Sequence, residues 1–127
     1  MAELTKKRPK YLNLMEIKLP IAGFASILHR VSGIGLFLML PLLIWLLDLS
    51  LKSGDSFQVL QAVTALPLVK LLLIGLLWAF LHHFCMGIRI LLIDVHVGVD
   101  KAKASASAKA VLAVSLLLTL ILGAKLW

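Results

Sequence analysis

Polar positions divide the chain into three long apolar stretches, at residues 31–47, 66–93 and 111–127, each rich in leucine and none alternating in the manner of a strand. A hydrocarbon core about 30 Å thick is crossed by roughly 20 helical residues, with about 17 as the lower end of the range. Each stretch meets that length. A transmembrane barrel would need alternating strands, and backbone inside lipid must satisfy its own polar groups, which a helix does within one segment. The pattern therefore predicts an all-α membrane protein in one domain, with an N-terminal arm over 1–20 and transmembrane helices over about 22–50, 63–94 and 105–127. The first helix begins ahead of its apolar run, because 22–30 contains no breaker and follows Pro20, a residue suited to an early helix position. Pro41, inside the same helix, is expected to kink it.

Composition agrees with the pattern. Of 127 residues, 61% are hydrophobic and 15% charged, and the mean hydropathy is +1.05, far above a soluble domain. The net charge of +7 could suggest nucleic acid, but the basic residues gather at the ends of the apolar stretches and no recognition fold is legible. They read instead as a topology signal. Lys6, Lys7, Arg8, Lys10 and Lys18 precede the first helix, and Lys101, Lys103 and Lys109 lie between the second and third, whereas the first connection, about 51–66, carries only Lys52. By the positive-inside rule the N-terminus and second connection are cytoplasmic, with the first connection and C-terminus on the far side. Lys125 and Trp127 then form a far-side anchor. Ser53, Gly54 and Asp55 mark a turn in the first connection, and 101–110, with its Lys, Ala and Ser repeat, is a solvated linker or helix start. The basic N-terminus lacks the short apolar core and small-residue cleavage site of a signal peptide, so no removal is expected. Cys85 is the only cysteine, which excludes an internal disulfide and argues against a thiolate cluster within this chain.

Polar side chains within the apolar stretches are the candidates for function, since an ionisable group in a membrane span is costly and faces a bundle interior or a cofactor by default. Ser26, His29 and Arg30 are three or four apart and share one helix face. A guanidinium there can pair with carboxylates, and a hydroxyl and an imidazole can hydrogen-bond a small carbonyl head group; equally, Arg30 could snorkel to lipid phosphates. His82 and His83 lie in the second helix, about 100° apart around its axis. A neutral imidazole is a good ligand for heme iron, and only one of the two can address a given porphyrin face. Gly87 is on the face of His83 and would let a flat macrocycle approach, while Arg89, Asp94 and His96 follow toward the cytoplasmic boundary, about 16 Å from His83 to Asp94 at 1.5 Å per residue. Residue types and spacing leave open whether either histidine binds iron or both pack against neighbouring helices.

The run Ser26-Ile27-Leu28-His29-Arg30-Val31-Ser32, preceded by Arg8-Pro9, resembles the N-terminal signature of the cytochrome b membrane-anchor subunit of succinate dehydrogenase, respiratory complex II. His83-Phe84-Cys85-Met86-Gly87-Ile88-Arg89, followed by Asp94, is similar to that family's second signature. The resemblance covers nearly the whole chain. It departs at Lys10, where an apolar residue is usual, at Ile90, where many relatives place histidine or phenylalanine, and at Ile93, where the residue before Asp94 is usually bulkier.

The resemblance implies that His83 is an axial ligand of heme b, that the second axial histidine comes from a partner anchor subunit, and that His82 packs. It implies that His29 and Arg30 face the heme propionates and that Ser26 and Arg30 help form a ubiquinone site near the cytoplasmic surface, in the bacterial inner membrane. Flavin and iron–sulfur chemistry would belong to a flavoprotein subunit and an iron–sulfur subunit, since this chain has neither a dinucleotide-binding glycine motif nor a cysteine cluster. Two other readings compete: a structural anchor without cofactor chemistry, and a small transporter component using its histidines as a proton relay.

Overall fold

The computed structural model describes Tyr11, Asn13 and residues 15–127. The Arg8-Pro9 portion of the first motif, with Lys6, Lys7 and Lys10, lies outside the described residues. Four helices follow in order: α1 (Ile21–Lys52), α2 (Gly54–Ala65), α3 (Pro67–Asp94) and α4 (Lys101–Leu126), with no strand among the described residues. Three of them, α1, α3 and α4, are long and apolar enough to cross a membrane. The all-helical membrane architecture expected from the pattern is the one observed.

The first connection is not the loop expected of it. Ser53 ends α1 and caps α2: its hydroxyl accepts from the backbone N–H of Ser56 at 3.1 Å, while the Ser56 hydroxyl accepts from the backbone N–H of Ser53 at 2.9 Å. This reciprocal arrangement is a capping box, and Asp55 in the first turn complements the positive end of the helix dipole. The turn cluster is therefore a helix start. The Ser56 hydroxyl also donates to the carbonyl of Leu49 at 2.9 Å, tying α2 back to the last turns of α1. With 12 residues, α2 is about 18 Å long and too short to span.

Helix ends elsewhere shift for local reasons. The expected second span from 63 begins at Pro67, because Leu66 is extended (φ −65°, ψ 129°), as a residue before proline prefers. The third begins at Lys101 rather than 105: Asp100 is extended, and its carboxylate pairs with Lys103 at 2.9 Å. The stretch 101–110 is helix from its first residue. Pro20 sits immediately before α1, accepting from the N–H groups of Gly23 and Phe24, and α1 continues through Pro41 to Lys52.

At its C-terminal end, α3 closes with two bonds: the N–H of His96 donates to the carbonyl of Ile93 at 2.9 Å, and the N–H of Val97 to that of Leu92 at 2.8 Å. This is a Schellman motif. His96 occupies the left-handed position (φ 64°) that glycine usually fills. His96→Gly is accordingly expected to stabilise the protein by about 0.5–1 kcal/mol, read as a higher Tm, whereas His96→Ala, which keeps a Cβ, gains nothing.

The three long helices pack α1 against α3 and α3 against α4, with α4 also touching α1. Their shared core is small: Ala25, Met86, Ala108 and Val111. On α4 the inward positions Ala108, Val111, Ser115 and Thr119 fall three or four apart, a stripe of modest side chains that lets backbones approach closely. Its hydroxyls are satisfied within the helix, Ser115 donating to the carbonyl of Leu112 and Thr119 to that of Ser115. Outward apolar residues such as Phe37, Leu68 and Leu120 are exposed on the chain, as suits a surface covered by lipid or by other helices.

One buried cation fastens α3 to α4. Arg89, 8% exposed, donates through Nε to the Ser107 hydroxyl at 2.9 Å and through Nη2 to the Ala104 carbonyl at 3.0 Å, with Nη1 3.8 Å from the sulfur of Met86. Lysine has one ammonium and cannot reproduce this fork. Arg89→Lys is expected to cost about 2 kcal/mol, seen as a lower Tm of the detergent-solubilised complex.

Candidate functional site

The first turns of α1 bring Ser26, His29 and Gly33 onto one face at spacings of three and four, with Arg30 and Ser32 flanking it. Helix α3 presents two faces in turn. His82, Met86 and Arg89 point inward, whereas His83 and Gly87, also four apart, lie on the neighbouring face. Arg89 does not share the face of His83: it belongs to the inward face of His82 and is spent on α4. The azimuth that sequence spacing left open is thus fixed by packing.

His82 is completely buried. Its Nε2 lies 3.4 Å from the Ala25 carbonyl, and its ring is tilted 34° against Trp78 with centroids 5.6 Å apart. Trp78 Nε1 and His82 Nδ1 are buried and have no hydrogen-bond partner among the described residues. His82 therefore faces the interior of the chain and offers no nitrogen to a molecule outside it.

His83 is half-buried at the junction of α1 and α3. Its Nδ1 lies 3.0 Å from the carbonyl of His29 and 3.3 Å from the Ser32 hydroxyl, and that hydroxyl donates to the same carbonyl at 2.9 Å. A carbonyl only accepts, so Nδ1 carries the proton and donates. The remaining nitrogen, Nε2, then holds the lone pair that a metal would take. The His29 ring stacks on the His83 ring at a centroid distance of 4.1 Å and an interplanar angle of 11°. A Cβ added at Gly87 would meet nothing within 4 Å, so the surface next to His83 on α3 is open.

These contacts are a direct link between the two motifs, made by packing of α1 on α3. Ser26 is half-buried and Arg30 exposed, and neither side chain has a hydrogen-bond or ion-pair partner among the described residues. Both are available to a ligand. No group of three or more His, Cys, Asp or Glu among the described residues could hold a metal ion, so a metal centre built here would depend on His83 together with atoms from outside the chain. Ser32 ends the first motif and Gly33 follows it, yet nothing in their spacing from His29 marks either as a contact of His83. An apolar groove of about 340 Å³, lined by Leu36, Leu43, Leu73, Leu77, Phe80 and Trp127, lies toward the C-terminal end of α4, where the Lys70 ammonium sits 5.9 Å from the Trp127 ring centre. Its lining offers no titratable group.

Residues 5–122 match the family model described as the succinate dehydrogenase/fumarate reductase transmembrane subunit. The chain belongs to that family. It is similar over most of its length to proteins named succinate dehydrogenase cytochrome b556 subunit: 34% identical over 125 residues to that of Coxiella burnetii, covering 98% of this chain and 100% of the relative. The corresponding subunit of Rickettsia felis is 32% identical over 120 residues, 94% of each chain, and that of Paracoccus denitrificans 30% identical over 101 residues, 79% of this chain and 78% of the relative. The chain is thus a membrane-anchor subunit of the succinate dehydrogenase type, with the Ser26–Ser32 run on α1 and the His83–Arg89 run on α3.

Proposed function

We propose that this anchor subunit binds heme b and forms part of the quinone-reduction site of a succinate:ubiquinone oxidoreductase in the bacterial inner membrane, docking the iron–sulfur and flavoprotein subunits on the cytoplasmic side. The observation that carries the reading is the His83 imidazole, tied through Nδ1 to the His29 carbonyl and thereby leaving Nε2 for iron. Histidines that ligate metals commonly donate their other ring N–H to a carbonyl or carboxylate, which fixes the tautomer and raises ligand basicity. The open surface at Gly87 and the unengaged Arg30 support the same reading, as does the cytochrome in the names of the relatives.

In this account His83 would hold the heme iron through Nε2, together with a histidine supplied by a second anchor subunit. His29 and Arg30 would hold the propionates, Arg30 through charge-assisted hydrogen bonds. Heme supplies reversible one-electron chemistry when bound, at a potential set by its axial ligands and burial. Ser26 hydrogen-bonds a carbonyl oxygen of ubiquinone and orients it. The Arg30 guanidinium stabilises the negative charge that develops on that oxygen as electrons arrive from the iron–sulfur subunit. Succinate oxidation takes place on another chain. The positive-inside distribution supports a cytoplasmic N-terminus and a periplasmic C-terminus.

The test is pigment content. The purified complex should contain b-type heme by pyridine hemochromogen assay, in a fixed ratio to this chain. A colourless, fully assembled complex would favour the purely structural anchor instead.

A further inference from the structure

The structure assigns Gly33, with the Ser32 hydroxyl beside it, the role of a positioning element that sets the rotation of the His83 ring. The inference rests on the reading of His83 as an iron ligand. It is carried by the closeness of α1 backbone to the edge of that ring. A Cβ built on Gly33 would lie 2.9 Å from His83 Cε1, 3.4 Å from Nδ1 and 3.9 Å from Nε2. The first of these is shorter than nonbonded carbon atoms tolerate, since optimal contacts lie near 3.5–4.0 Å. Any residue but glycine at 33 therefore moves the ring or the helix.

One turn of α1 thus encloses the imidazole on three sides. His29 covers a face by stacking, the His29 carbonyl and Ser32 hydroxyl engage Nδ1, and Gly33 admits the Cε1 edge. The ring cannot yield to a Cβ at 33 by several tenths of an ångström without lengthening the Nδ1 bond or tilting off His29. Either response changes how Nε2 is aimed and how strongly it donates to a metal. Gly33 and Ser32 act through His83, as positioning residues.

Helix α1 supplies its own control. Gly35 lies two residues further along, and a Cβ there would meet nothing within 4 Å. Glycine to alanine favours an α-helix to a similar degree at either position, so a difference between the two variants reports the contact with His83. The experiment compares Gly33→Ala, Gly35→Ala, Ser32→Ala, Ser32→Thr and His83→Leu in the purified complex by heme content, ferric low-spin EPR and the heme midpoint potential. Gly33→Ala is expected to shift the low-field EPR signal and the potential, or to lose heme. Gly35→Ala should match the native complex. Ser32→Ala should shift the potential less, and Ser32→Thr, which keeps the hydroxyl, should restore it. Native spectra and potential in Gly33→Ala, alongside heme loss in His83→Leu, would overturn the positioning role alone. Retention of a native heme signal in His83→Leu would overturn the ligand reading on which it rests.

Discussion

His83→Leu is expected to abolish the reduced-minus-oxidised b-type absorption of the assembled complex, while His82→Leu leaves it in place. The two residues are adjacent in sequence and of one chemical type, so any difference between the variants must come from where the helix places them. His83 stands at the α1–α3 junction with Nδ1 bonded to the His29 carbonyl and Nε2 left as the acceptor. His82 is completely buried, with Nε2 near the Ala25 carbonyl. Leucine at 83 removes the lone pair that iron needs. Leucine at 82 removes a long hydrogen bond together with an unpaired Nδ1, and replacing an imperfectly satisfied polar group by an apolar one of similar size costs little. Subunit content, checked by gel, separates loss of heme from loss of the complex.

Ser26→Ala and Arg30→Ala are each expected to lower succinate:quinone activity by about 100-fold, the scale of removing one preorganised donor to a developing negative charge. Succinate oxidation measured with an artificial dye that accepts electrons upstream should be unchanged. Arg30→Lys should recover part of the loss, because lysine keeps the charge but not the planar fork. Parallel loss with quinone and dye would mean that the substitution disrupts assembly, and unchanged quinone activity would remove both residues from the site.

Much of this arrangement is legible in the chain because transmembrane helices announce themselves by continuous apolar length, and a 3.6-residue period places Ser26, His29 and Arg30 on one face without further information. The helix α2 is harder to read. Its capping box uses serine at both positions, Ser53 and Ser56, where glutamate or glutamine at the second is the recognisable form; Ser53, Gly54 and Asp55 together look like a turn. Which histidine faces inward is not encoded in spacing alone, because α3 is apolar nearly all round and its azimuth is set by α1 and α4 packing on it. The same is true of Arg89, whose partners Ala104 and Ser107 belong to a different helix. Gly33 and Gly35 are indistinguishable as letters. Only the ring of His83, approaching from 50 positions away in the chain, gives one of them a steric requirement.

Whether the Nε2 of His83 is an iron ligand is decided by ligand replacement in the assembled complex. In His83→Gly the imidazole is removed and a space of its size is left, so the optical and EPR spectra can be recorded with and without added imidazole. The low-spin b-type spectrum is expected to be lost in this variant and to return, with saturation, as imidazole is titrated in. A native low-spin spectrum in His83→Gly without imidazole would contradict it.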